Sequence, residues 1–265
     1  MEKIIKFNRT TLESVDNFIT DTQYNNSRDL YGLPKRVYHL INKPLNNDIT
    51  YVDLLIFLSE YLNKKNLNYL EIGVSVLKTF YQVASYLQDS TLYAYDINII
   101  NPTIESRFIK NGDNYNYKTN KIVYYKGDIY DEKSLLNFRT NIVEKKIDII
   151  FSDAHHRYPG LLSEYTNLIQ YILNDNFILY YDDLAWSNDM HTNMDSESTR
   201  SNMTGAFFFN ANKLKQKYDN LTVALLSING WLGNHERKHT NGIVTTLNLK
   251  KILEEQNINI NIKYF

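Results

Sequence analysis

From Thr50 to Leu62 the apolar residues Val52, Leu55, Phe57, Leu58, Tyr61 and Leu62 recur at a helical period. The pattern then changes. Short, nearly continuous apolar runs follow at YLEIGV (69–74), TLYAYD (91–96), KIVYYK (121–126), IDIIFS (147–152) and NFILYYD (176–182). Runs of that length without alternation are expected of parallel strands covered on both faces. Helical stripes separate them. Phe80, Val83, Ala84 and Leu87 follow the first run, and Leu161, Leu162, Tyr165, Leu168, Ile169, Ile172 and Leu173 follow the fourth.

Two further runs, LTVALLSIN (221–229) and GIVTTLN (242–248), are joined by a stretch punctuated by Gly230, Gly233 and Gly242, which reads as a long hairpin. The alternation predicts a doubly wound α/β fold. With the pair added, it becomes a Rossmann-like seven-stranded sheet closed by a C-terminal antiparallel hairpin. Residues 1–45 show no clear period and are read as an N-terminal accessory segment, which leaves 46–265 as the α/β domain. The polar segment 186–206 reads as a lid or binding loop.

Composition narrows the class. The chain has 265 residues, 43% of them hydrophobic, enough for one large core. Its 29 basic and 30 acidic side chains leave a net charge of −1, which disfavours nucleic acid and anionic membranes as partners. With no cysteine there are no disulfides, thiolate metal sites or Cys nucleophile. No apolar run reaches a membrane-spanning length, and MEKIIKFNRT lacks the core of a signal peptide, so a soluble, cytoplasmic protein is expected.

Ligands of an open α/β sheet bind at the carboxyl ends of its strands. Those ends carry acids throughout: Glu71 two residues before Gly73, Asp96, Asp128, Asp153, and the pair Asp182 and Asp183. A single strand-terminal Asp is ordinary turn or cap chemistry. Acids after all five strands point to a polar or cationic guest.

On these residues the chain resembles the class I S-adenosylmethionine-dependent methyltransferases. YLEIGVSVLKTF is similar to their first motif, which implies that Glu71, Gly73 and Ser75 border the cofactor loop. Asp96 in YAYDIN matches the acid that holds the ribose hydroxyls, a diol suiting the two acceptor oxygens of a carboxylate. Asp128 in KGDIYD matches the position that reads the adenine amino group, with Ile129 against the ring.

FSDAHHRYPGLLSEYTNLIQYILNDNFILYYDDLAW resembles the metal-dependent small-molecule O-methyltransferases: the caffeoyl-CoA type, the macrocin sugar type and the cephalosporin-hydroxylase-like relatives. That resemblance implies a divalent ion, Mg²⁺ or else Mn²⁺ or Ca²⁺, on Asp153, Asp182 and Asp183. Converging carboxylates repel unless a cation neutralises them, and hard oxygen ligands suit such ions. Asp153 and His156 reproduce an Asp–x–x–His pattern, so His156, or His155 beside it, is a candidate general base. Lys78 is read as a surface residue.

The implied activity is metal-assisted O-methylation of a small hydroxylated acceptor by a possible homo-oligomer. Trp186, Asn188, Asp189, His191, Trp231 and His235 set aromatic beside polar groups, which suits a sugar. Ser75 and Leu77 stand where related loops carry glycine. The competing reading is therefore a scaffold, or a hydroxylase-like enzyme that does not methylate, with a degenerate cofactor loop.

Overall fold

The apolar runs become strands of a single ten-stranded sheet in the computed structural model, ordered β10-β8-β9-β7-β6-β1-β2-β5-β4-β3. The structure describes residues 1–19, 47–74, 78–100, 105–154, 158–185, 197–230 and 233–265. Its centre is parallel: β7 (Leu173–Tyr181), β6 (Ile147–Ser152), β1 (Asn68–Ile72), β2 (Thr91–Asp96) and β5 (Asn120–Lys126), side by side. These are the five runs expected from the sequence. From β1 the chain builds outward through β2 to β5, then returns to the other side of β1 for β6 and β7. The reversal places a topological switch point between β1 and β6, where a ligand crevice opens at the carboxyl ends.

Among the described residues the sheet has ten strands where seven were expected. β3 (Ile109–Asn111) and β4 (Asn114–Tyr117) form a short hairpin beyond β5 whose residues are exposed or half-buried, so no apolar run announces it. β8 (Thr222–Gly230) and β9 (Gly233–Thr245) pair antiparallel, with β9 against β7. That pair is not the end of the chain. A helix at Leu249–Glu255 and the edge strand β10 (Asn261–Tyr264), antiparallel to β8, follow it.

Alternation divides the side chains of each strand between two cores. Tyr69, Leu92, Ala94, Ile149, Phe151, Ile178, Tyr180 and Ile243 face one side. There they meet α1 (Glu2–Ile19), α2 (Tyr51–Ser59) and α3 (Lys78–Tyr86). Leu70, Ile72, Tyr93, Tyr95, Ile150, Leu179 and Val244 face the other. That side is covered by α4 (Glu132–Ile142), by α5 (Tyr158–Glu164) with its π-helical continuation Tyr165–Ile169, and by α6 (Glu197–Lys215). α6 begins inside the segment expected to be a loop. Met203, Ala206, Phe207, Ala211 and Leu214 carry it into the core, and residues 186–196 lie outside the described ones.

α2 starts where a capping box dictates: Thr50 accepts the Asp53 N–H while the Asp53 carboxylate accepts the Thr50 N–H. Asp53 also binds Arg9 at 2.8 Å and accepts from Asn8 at 2.7 Å. These bonds tie α1 into the same core as the sheet, and Ile4 and Leu12 add apolar contact there. Residues 20–46 lie outside the described ones. Lys78, expected at the surface, is buried. It opens α3, a helix covered by both α1 and α2. Among the described residues no helix is long and apolar enough to cross a membrane.

Candidate active site

The backbone ladder of the parallel strands runs one residue past their ends. Gly73 donates to the Tyr95 carbonyl at 2.8 Å, Gly127 to Asp96 at 2.7 Å, Asp153 to Ile72 at 2.8 Å and Asp182 to Ser152 at 3.0 Å. Gly73, Asp96, Asp153 and Asp182 therefore stand in one row along the carboxyl edge, with Lys126 at its β5 position and Gly127 one step beyond it. Residues two apart share a face. Glu71, Asp96, Asp153 and Asp182 consequently fall on the α1–α3 side of the sheet.

A cavity of about 180 Å³ opens over the β1, β2 and β5 part of that row. Four residues singled out from the sequence, Gly73, Asp96, Asp128 and Ile129, line it together with Tyr95, Ile97, Gly127, Tyr130 and Ala154. Gly73 has φ +85, and a Cβ there would stand 2.3 Å from the Ala154 Cα. Its glycine is thus required by the chain itself, because the first loop packs directly on the loop after β6. The two carboxylates are pre-set by their own turns. Asp96 Oδ1 accepts the Asn98 N–H at 2.8 Å, and Asp128 Oδ1 accepts the Tyr130 N–H at 2.9 Å. Beneath them the Tyr95 hydroxyl bonds Ser134 at 2.9 Å and donates to the Asp128 carbonyl at 3.1 Å, which pins the loop after β5.

Glu71 is buried beside the cavity but is not part of its lining. Its carboxyl accepts from the Tyr69 hydroxyl at 2.5 Å and from the backbone N–H of Phe80. Burial and the nearby Asp96 carboxylate push its pKa up to about 8, although both hydrogen bonds oppose the rise. In the structure Glu71 joins β1 to the first turn of α3.

The second half of the row carries Asp153, Asp182 and Asp183. Burial first, and then the charges of Asp182 and Asp183, raise the pKa of Asp153 well above the usual carboxylate range. Glu71 adds to that rise and His239 opposes it. Asp183 has a left-handed backbone (φ 55), a conformation Asp tolerates better than most residues. The structure adds a residue that the sequence reading missed. β9 overhangs the end of β7, held by the Leu184 N–H on the Thr240 carbonyl at 2.7 Å. The overhang brings His239 Nδ1 to 3.0 and 3.1 Å from the two Asp182 oxygens and 3.4 Å from Asp183 Oδ1. Asn241 Nδ2 donates to Asp182 Oδ1 at 2.5 Å. One oxygen each from Asp182 and Asp183 and one ring nitrogen of His239 lie within 4.8 Å of one another. The signal was present in HTNGIVTT: His239 and Asn241 share the parity of the core residue Ile243.

Ser75 and His156 lie outside the described residues, as do His155, Trp186, Asn188, Asp189, His191 and Trp231; the side chain of His235 is likewise undescribed.

No family profile and no curated protein matches the chain. Solved structures do. The O-methyltransferase from Bacillus cereus, in complex with SAH, aligns with a TM-score of 0.50 at 14% identity, over 88% of this chain and 97% of that one. The chain has the Rossmann-like methyltransferase fold. A Staphylococcus aureus protein assigned as a caffeoyl-CoA O-methyltransferase aligns at 0.49 with 15% identity, over 90% of this chain and 99% of that one. TomG from Streptomyces achromogenes, an O-methyltransferase of tomaymycin synthesis in complex with SAM, aligns at 0.45 with 12% identity, over 88% and 96%. The β3–β4 hairpin and β10 extend this chain's sheet at its two edges.

Proposed function

We propose that the protein is an S-adenosylmethionine-dependent O-methyltransferase acting on a small hydroxylated acceptor, a sugar in the first instance, with a divalent ion beside the cofactor. The observation that carries this reading is the cavity over β1, β2 and β5 on the same strand-end row as a carboxylate–imidazole cluster. The Bacillus cereus protein with the same fold was solved with SAH.

The cavity residues fit a nucleoside. Ile97 and Ile129 offer apolar faces for a flat base, while Asp96 and Asp128 present carboxylates to hydroxyl and amino donors. Gly73 brings the first loop onto the cavity wall, and Ser75 is assigned to the same loop. The acid cluster fits a cation. Like charges packed this closely raise one another's pKa, and among the described residues the buried Asn241 Oδ1 has no hydrogen-bond partner. When bound, S-adenosylmethionine supplies an activated methyl group and a divalent ion supplies Lewis-acid polarisation of a hydroxyl. Asp182 and Asp183 would hold the ion with Asp153 behind them, and His156 is assigned as the base that takes the acceptor proton. Orientation of the acceptor oxygen by these residues would supply much of the rate.

Calorimetric titration with S-adenosylmethionine tests the cofactor half of the reading. Wild type is expected to bind, and Asp96→Ala to bind roughly 10–100-fold more weakly, the loss for a charged hydrogen-bond pair. Binding that is absent in wild type, or unchanged in Asp96→Ala, contradicts the assignment. Absence would favour the scaffold reading.

A further inference from the structure

We propose that His239 is itself a ligand of the ion, and that it makes the site selective for first-row transition ions such as Mn²⁺, Fe²⁺ or Co²⁺ over Mg²⁺ and Ca²⁺. The inference deepens the metal part of the proposed function and rests on it. An all-carboxylate site would favour the hard ions Mg²⁺ and Ca²⁺. Imidazole nitrogen shifts the preference along the series toward the later divalent metals.

Three observations place the ring in the site rather than beside it. His239 Nδ1 faces both carboxylates, at 3.0 Å from Asp182 Oδ1 and 3.4 Å from Asp183 Oδ1. Ligands at right angles on an ion with bonds of about 2.1 Å stand about 3.0 Å apart, so the donors are already spaced for a small ion. The ring is nearly buried and packs on Tyr51 with centroids 5.7 Å apart, which fixes its orientation. Finally, among the described residues two buried polar atoms have no hydrogen-bond partner: Oδ1 of Asn241, whose amide nitrogen donates to Asp182, and the hydroxyl of Tyr180, two residues before Asp182. Buried polar groups without partners are rare. Ion binding requires Nδ1 without its hydrogen, which the neutral ring carries on Nε2 instead.

The test uses the full chain, stripped with EDTA and titrated separately with MnCl₂, MgCl₂ and CaCl₂. Wild type is expected to bind Mn²⁺ roughly tenfold or more tightly than Mg²⁺. His239→Gln is expected to weaken Mn²⁺ binding by about 10–100-fold and largely erase the preference. Pulsed EPR of Mn²⁺ on wild type should show coupling to an imidazole ¹⁴N, which survives His156→Ala and disappears in His239→Gln. Should His239→Gln fail to fold, the wild-type ion preference and the coupling that persists in His156→Ala decide the matter. Equal affinity for Mg²⁺ and Mn²⁺, no ¹⁴N coupling, or a folded His239→Gln with unchanged affinity overturns the inference. S-adenosylmethionine binding measured in EDTA keeps the two readings apart. Cofactor binding together with Mg²⁺ preference overturns this inference alone, whereas no divalent binding at all overturns the metal half of the proposed function as well.

Discussion

Glu71 and Glu164 show how single buried carboxyls set the response to pH. Burial raises Glu71 to about 8, and burial raises Glu164 to about 7 although Ser152 donates to it at 2.5 Å. In the unfolded chain both ionise near their ordinary value of about 4.5. Each therefore contributes stability that is complete below that value and is lost as pH rises toward 7 or 8, at about 1.4 kcal/mol per pH unit and group. The melting temperature of the ligand-free protein is expected to fall between pH 5 and 8 by scanning calorimetry. Glu71→Gln should flatten the fall; an unchanged slope would show that Glu71 ionises normally. Residues at this scale were unevenly legible. Asp96, Asp128, Asp182 and Asp183 could be read from their places after apolar runs, because a strand end is a local pattern. The parity of His239 with Ile243 marked only its face; its place beside Asp182 could not be read, since the two lie 57 positions apart in sequence and only strand pairing brings them together. The carboxylate–imidazole cluster yields its own expectation. Asp183→Asn, which keeps a residue suited to the left-handed backbone, should lower divalent affinity about tenfold or more in a calorimetric titration with little change in melting temperature. Undiminished affinity would remove Asp183 from the ligand set.

Among the elements, α2 shows how a short helix is secured by a single side chain. Asp53 completes the capping box at Thr50, binds Arg9 and accepts from Asn8. Removing it takes the carboxylate from a buried guanidinium and uncaps the helix, so Asp53→Ala should destabilise the fold by about 3–5 kcal/mol in urea titration. A loss below about 1 kcal/mol would mean that α1 is not integral to the core. The five parallel strands were legible because burial on both faces makes each one an apolar run. β3, β4 and β10 were not, because they are short and their side chains are exposed or half-buried. α6 was masked by its polar start, ESTRSN, and shows an apolar face only from Met203 onward.

Across the whole molecule, the order of the strands makes the site. Because the chain reverses between β1 and β6, a crevice is expected at the carboxyl ends there, and the ends of β2, β1, β6 and β7 stand side by side along it. The period of two along each strand then sends Asp96, Asp153, Asp182, Asn241 and His239 to the same face. The proposed nucleoside and ion subsites are neighbours for that reason. The most direct measurement is a crystal structure of the protein grown with S-adenosylhomocysteine and MnCl₂, with anomalous data at the manganese edge. The expected result is nucleoside density bounded by Gly73, Asp96, Asp128 and Ile129, and one anomalous peak among Asp182, Asp183 and His239. A cavity without nucleoside density, or manganese bound away from those three side chains, would contradict it.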